Sequence, residues 1–306
     1  MPAELIDGVA IARDIRQRVA QETAALVARG VRPGLAVILV GQDPASRAYV
    51  RLKGIASEEA GIYSSTIRLA ADTTQAELLA RIDELNADTS VHGILVQVPL
   101  PRQIDTDAVI QRVDPSKDVD GFHPVNVGKL MIGQSDGFVP CTPAGIQELL
   151  RASGVTTTGK ECVIVGRSNI VGKPIAALLA QDSPMGNCTV TVCHRHTRDL
   201  RAHTLCAELL IVAAGRPNLV TGDMIKPGAV VIDVGMNRVA DSTARGGYRL
   251  VGDVDFASAR DVASRITPVP GGVGPMTIAM LLSNTVRSAT RFADARAGNP
   301  GEPVPA

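Results

Sequence analysis

Tryptophan is missing from this 306-residue chain, and Tyr and Phe number three and four. Burial therefore cannot rest on aromatic clusters. It must rest on Val, Ile, Leu and Ala, the side chains that fill buried parallel strands and the helices covering them. Net charge is missing too: Lys plus Arg and Asp plus Glu are both 31, with no long basic run, so neither nucleic acid nor an anionic membrane is an expected partner. The five cysteines form no CxxC pair, which argues for reduced, structural thiols over a metal site or disulfides. No run reaches the roughly 18–20 apolar residues of a membrane span, and the N-terminal MPAELIDGVAIARDI lacks the apolar core of a signal peptide. No membrane association and a cytoplasmic location are expected.

The length favours two domains with a cleft between them. From Asp7, a plausible N-cap, the apolar positions Val9, Ile11, Ile15, Val19 and Leu26 recur at helical spacing until Gly30. The apolar runs 35–40 and 92–100 read as strands, with helical patterns over 46–60 and 74–86 between them, which is a βαβ arrangement with parallel strands. The pattern restarts near Pro143 with a helix over 144–152, a strand over 161–165, a Gly-rich turn and a helix over 172–179. Strand-like runs follow at 189–193, 209–213 and 229–234, the pattern of a doubly wound sheet. A helix over 276–292 closes the fold, and ARAGNPGEPVPA reads as a disordered tail. The expected architecture is therefore two α/β domains. A Rossmann-type parallel sheet occupies 141–275, and a smaller βαβ catalytic domain comprises 1–140 with 276–306 packing back onto it.

The segment CVIVGRSNIVGKPIAALL combines a strand, a turn opening Gly166-Arg167-Ser168 and a helix from Gly172. Phosphate oxygens need backbone N–H groups and the positive end of a helix, and glycine lets the chain approach closely enough to supply them. The turn departs from GxGxxG, with Ser168 at the second glycine, so alone it does not exclude an ordinary strand-to-helix connection. The next strand ends in His194-Arg195-His196 rather than in the acidic residue that grips a ribose 2′-hydroxyl. Arginine there suits a 2′-phosphate, hence NADP over NAD. His194 and His196 lack a third ligand at sensible spacing, and no metal site is expected.

In the first half, Tyr49 and Lys53 share a helix face, Gln97 interrupts the apolar run ILVQVPL, and Asp118-Val119-Asp120-Gly121 is acidic. If its strand is buried, the Gln97 amide needs partners, and the end of a parallel strand is where ligands bind. Tyr-x-x-x-Lys also occurs in short-chain dehydrogenases. There, however, the pair follows the Gly-rich turn in one domain, whereas here it precedes Gly166 in another.

Taken together and in order, GQDPASRAYVRLK, GILVQVPLP, DPSKDVDGFHPVNVGKL, CTPAGI, GRSNIVGKP, VIDVGMNR and PGGVGPMTI closely resemble the bifunctional methylenetetrahydrofolate dehydrogenase/methenyltetrahydrofolate cyclohydrolase family, FolD in bacteria. The resemblance spans all but the last dozen or so residues. It implies oxidation of 5,10-methylenetetrahydrofolate with NADP⁺ and hydrolysis of the methenyl product to 10-formyltetrahydrofolate, in one-carbon metabolism that serves purine biosynthesis. By resemblance Lys53 is the catalytic lysine, Gln97 its hydrogen-bonded neighbour, Asp120 the carboxylate on the pterin, and Tyr49 the ring packed on folate. Val98, Pro99 and Leu100, with Gly272, Val273 and Pro275, would line the folate slot. Gly166, Arg167, Ser168, Arg195 and Met236 would contact NADP, with Thr142 and Thr277 near the nicotinamide. A homodimer through the cofactor domain is also implied. Physical chemistry agrees: a carboxylate matches the paired donors of an aminopterin, and a lysine held by a neutral amide in a partly apolar site can move protons. Met236 and Ile55 depart from the common pattern, Ile55 standing where many members carry a second lysine. A dehydrogenase lacking the hydrolytic step and a non-catalytic dinucleotide-binding protein are the rival readings.

Overall fold

The computed structural model describes residues 2–244 and 246–298, which divide into two compact units: 13–141 with 278–298, and 2–12 with 142–277. In chain order the first elements are β1 (Glu4–Leu5), α1 (Gly8–Ala28), β2 (Gly34–Val40), α2 (Pro44–Glu59), β3 (Tyr63–Leu69), α3 (Gln75–Ala87), β4 (Gly93–Val96), α4 (Thr106–Arg112) and α5 (Pro124–Met131). There follow α6 (Cys141–Ala152), β5 (Glu161–Val165), α7 (Gly172–Ala180), β6 (Thr189–Cys193), α8 (Leu200–Thr204), β7 (Leu209–Val212) and β8 (Val230–Asp233). The hairpin β9 (Asn237–Ala240) and β10 (Tyr248–Val251), then α9 (Phe256–Arg260), β11 (Arg265–Ile266) and α10 (Val273–Gly298), complete the fold. Among the described residues, no helix is long and apolar enough to cross a membrane.

The unit holding Lys53 is built on a parallel three-stranded sheet, ordered β3-β2-β4. Central β2, GLAVILV, is buried at every position, which is why it reads as an unbroken apolar run. Its neighbour β3, YSSTIRL, lies at the sheet edge and is mostly half-buried, so it carries no apolar run, and sequence periodicity passes over it. Helix α1 starts where Asp7 Oδ1 accepts from the N–H groups of Val9 and Ala10, both at 3.0 Å. Helix α3 starts with a capping box, Thr74 and Glu77 each accepting from the other's backbone N–H. The expected strand over 92–100 stops at Val96. Gln97 N–H still donates to Ile38 O at 2.8 Å, but two prolines, Pro99 and Pro101, have no N–H to continue a ladder.

The other unit carries a six-stranded sheet, ordered β1-β11-β8-β7-β5-β6 and parallel at every pairing. Successive strands β5 and β6 are neighbours, and the chain then crosses to β7 on the far side of β5. This reversal between β5 and β7 is the topological switch point of a doubly wound sheet. Residues 2–12, expected with the first unit, belong here instead, because β1 pairs with β11 through Glu4↔Arg265 and Leu5↔Ile266. Helix α6 begins at Cys141, three residues before the expected 144, and α10 runs from Val273 to Gly298 instead of 276–292. The rest of the tail expected to be disordered, 299–306, lies outside the described residues.

Candidate active site

Helix α2 sets Tyr49 and Lys53 one turn apart on one face. Lys53 is 5% exposed, and its Nζ donates to Gln97 Oε1 at 3.0 Å and lies 5.6 Å from the Tyr49 ring centroid. Gln97 Nε2 in turn donates to Val98 O at 2.8 Å, which fixes the amide so that oxygen, not nitrogen, faces the lysine. A buried ammonium so held has a neutral acceptor on one side and a π face on another.

Asp120 arrives from the segment beside β4. Ile94 N–H donates to Lys117 O at 2.8 Å, and Lys117 Nζ caps the end of α3 through Leu85, Asn86 and Asp88 carbonyls at 3.0, 2.7 and 2.8 Å. Asp118 is consumed structurally, accepting from Phe122 N, His123 N and Asn126 Nδ2 at 3.2, 2.8 and 2.9 Å. Asp120 is left facing the lysine. Desolvation pushes its carboxyl up to about 6; the charge of Lys53 opposes this, Asp118 adds to it, and the neighbouring Cys141 thiol lowers it again. Burial likewise raises the Tyr49 hydroxyl. Val96, Val98 and Leu100 line one pocket with Asp118, Asp120 and Phe122, whereas Pro99 is exposed and does not line it. Ile55, two residues after Lys53 and so about 200° round the helix, lines a different groove with Arg47, Arg51 and Arg68.

Cys141 and Asn284 carried no sequence signal of a role here. The Cys141 thiol donates to Val119 O at 3.3 Å, and Asn284 Nδ2 donates to Val119 O and Val139 O at 2.9 and 3.2 Å, so both steady the backbone that presents Asp120. Asn284 is buried, and that burial is decided by the fold.

In the second unit the turn after β5 is built for close approach. A Cβ on Gly166, whose φ is +129°, would lie 2.2 Å from Ala213 O, and one on Gly172 would lie 2.2 Å from Gly166 O. At the position of the second glycine of GxGxxG, Ser168 Oγ accepts from Val171 N at 3.1 Å and Gly172 N at 3.3 Å, bracing the entry to α7 and leaving its own O–H to donate. Two of the amides expected to meet phosphate at the helix end are therefore spent on Ser168. Arg167 and Arg195 are both exposed on the same side: desolvation, then Arg167, then His196 hold the His194 imidazole below its usual value, and Arg195 Nε donates to His196 Nε2 at 3.1 Å. Met236 is exposed just after β8, and Thr142 and Thr277 Oγ1 atoms lie 3.0 Å apart. Gly272, Val273 and Pro275 belong to this unit, with Gly272 and Val273 buried, whereas Tyr49, Asp120 and 98–100 belong to the other. A glycine cradle, a serine hydroxyl and two arginines form a donor set that fits a phosphorylated dinucleotide.

The family model described as the tetrahydrofolate dehydrogenase/cyclohydrolase catalytic domain matches residues 6–120, and that of the same family's NAD(P)-binding domain matches 140–293. The chain belongs to this family. It is 58% identical over 291 residues to the bifunctional protein FolD of Bordetella avium, covering 95% of this chain and 99% of the relative. Among solved structures it is similar to the Campylobacter jejuni bifunctional FolD (TM-score 0.89, 50% identity, 94% of this chain and 99% of that one). It is similar also to Trypanosoma brucei FolD complexed with NADP and an inhibitor (TM-score 0.90, 44% identity, 95% and 98%). The expectation of this family and of two α/β domains is thus borne out.

Proposed function

We propose that this protein oxidises 5,10-methylenetetrahydrofolate with NADP⁺ and hydrolyses the methenyl product to 10-formyltetrahydrofolate. The observation that carries the reading is the Lys53 Nζ to Gln97 Oε1 hydrogen bond, with the charge of Lys53 acting on Asp120, itself part of the lining of a pocket with an apolar wall. Asp120, ionised, accepts from the 2-amino group and ring N–H of the pterin and so orients it. Tyr49 packs on the folate rings, and Val98 and Leu100 exclude water from one side. Gly166, Arg167 and Ser168 hold the cofactor's phosphates, and Arg195 with Arg167 holds the 2′-phosphate; Met236, Thr142 and Thr277 lie along the remainder. NADP⁺, when bound, supplies the hydride acceptor.

Hydrolysis then needs a proton manager. Water adds to the methenyl carbon, the bond from that carbon to N5 breaks, one water proton is lost to solvent and the other ends on N5. Lys53 Nζ, fixed by Gln97, holds the proton in transit. Gly272, Val273 and Pro275 are proposed as further folate contacts. By family resemblance we also propose a cytoplasmic homodimer paired through the cofactor unit, feeding purine biosynthesis. Steady-state assays with methylenetetrahydrofolate and each of NADP⁺ and NAD⁺, and a separate assay of methenyl hydrolysis, test the reading. Both activities with a preference for NADP⁺ are expected; hydrolysis no faster than in buffer would reduce the protein to a dehydrogenase.

A further inference from the structure

At the carboxyl ends of β7 and β8 two buried aspartates interlock. Asp253, 0% exposed, accepts from Ala214 N and Gly215 N on Oδ2 at 2.6 and 2.8 Å, and from Arg216 N and Asn237 Nδ2 on Oδ1 at 2.9 and 2.8 Å. Asp233, 3% exposed, accepts from Gly235 N and Asp253 N on Oδ1, both at 2.9 Å, and from Val254 N on Oδ2 at 2.9 Å. Each carboxylate rests on a glycine beside the other aspartate: a Cβ on Gly235 would lie 2.3 Å from Asp253 Oδ1, and one on Gly252 would lie 1.7 Å from Asp233 Oδ2. Seven donors thus converge on two acceptor-only groups, and neither carboxylate is used by the chemistry above.

The segments they tie down matter by position. Residues 214–216 follow β7, the strand beside β5, and Ala213 O is the atom against which Gly166 is packed. Gly235 and Asn237 flank Met236. We propose that Asp253, seated on Asp233, is a positioning residue for dinucleotide binding, holding the turn behind Gly166 and the turn that carries Met236. The inference rests on the NADP reading above. An acceptor is required at both oxygens because every partner is a donor, so an amide in its place sets N–H against N–H.

The test is Asp253→Asn in the full-length protein, read by NADPH fluorescence titration together with methenyl hydrolysis, which uses no nicotinamide. The dissociation constant for NADPH should rise at least tenfold, while kcat and KM for hydrolysis stay within twofold of the parent. Asn237→Ala, which removes one donor of four and spares the carboxylate, should raise the constant about threefold under the same control. Folded Asp253→Asn protein that binds NADPH within twofold of the parent overturns the inference, even if its melting temperature has dropped. If Asp253→Asn does not fold, Asn237→Ala decides, an unchanged constant being the refutation. A parent protein that does not bind NADPH at all would instead remove the NADP reading itself.

Discussion

Lys53→Met keeps the length and apolar stem of the side chain and removes the ammonium that donates to Gln97 Oε1 at 3.0 Å. Two consequences follow from the geometry. A positioned proton-transfer group contributes about 10²–10⁴-fold, or about 3–5 kcal/mol at the transition state, so methenyl hydrolysis should fall by at least a hundredfold. The second effect falls on Asp120. Its carboxyl titrates at about 6 because desolvation raises it and Lys53 is the largest opposing influence. Ionised Asp120 accepts from the pterin, so in the parent the dehydrogenase kcat/KM should be lost as pH falls through about 6. Without the ammonium the carboxyl is protonated more readily, and this acid limb should move to higher pH. The assay is a pair of pH profiles, one for hydrolysis and one for NADPH formation, on parent and variant of equal melting temperature. Hydrolysis retained within tenfold refutes the assignment of Lys53. An acid limb that stays put or moves down refutes its electrostatic coupling to Asp120.

Gly172→Ala places a Cβ 2.2 Å from Gly166 O and forces a shift of roughly 1 Å in the turn, so KM for NADP⁺ should rise while hydrolysis is unaffected. Arg195→Ser should cost about tenfold in kcat/KM with NADP⁺ and leave NAD⁺ nearly unchanged, if that guanidinium meets the 2′-phosphate; an equal loss with both cofactors would speak against it. Asn284→Ala strands the Val139 carbonyl it now serves at 3.2 Å and leaves Val119 O only the Cys141 thiol at 3.3 Å, for an expected loss of about 1–3 kcal/mol in urea denaturation. His92, 4% exposed, is held to about 4, chiefly by desolvation and then by Lys117. The unfolded chain takes up that proton near the ordinary 6.5, so stability contributed by neutral His92 is present above 6.5 and lost as pH falls toward about 4, by up to about 3 kcal/mol. His92→Gln should flatten that part of the stability profile; an unaltered slope between those pH values would show that another group is responsible.

The parts legible in the sequence are those where one physical requirement dominates. Buried parallel strands need unbroken apolar runs, so β2, β5 and β7 announce themselves, and helix starts are written in Asp7 and Thr74 because orphan N–H groups need acceptors. The association of Lys53 with Gln97 and Asp120 and the turn at Gly166 were readable from residue type, order and resemblance. Edge strand β3 was not, because half-exposure erases its pattern. Nor was the assignment of residues 2–12, because two ladder pairs with β11 leave no local trace in either segment.

Which of two acids, Asp118 or Asp120, is tied into the backbone depends on three donors that the fold brings to Asp118. That Ser168 can stand for a glycine depends on two amides at the start of α7, and the joint grip of Asp233 and Asp253 spans 20 residues of sequence. The sequence by itself determined the chemical inventory and the elements, because those follow from composition and short-range periodicity. Tertiary structure alone decided which polar groups are spent on one another and which remain for ligands, because hydrogen-bond capacity is settled by neighbours in space.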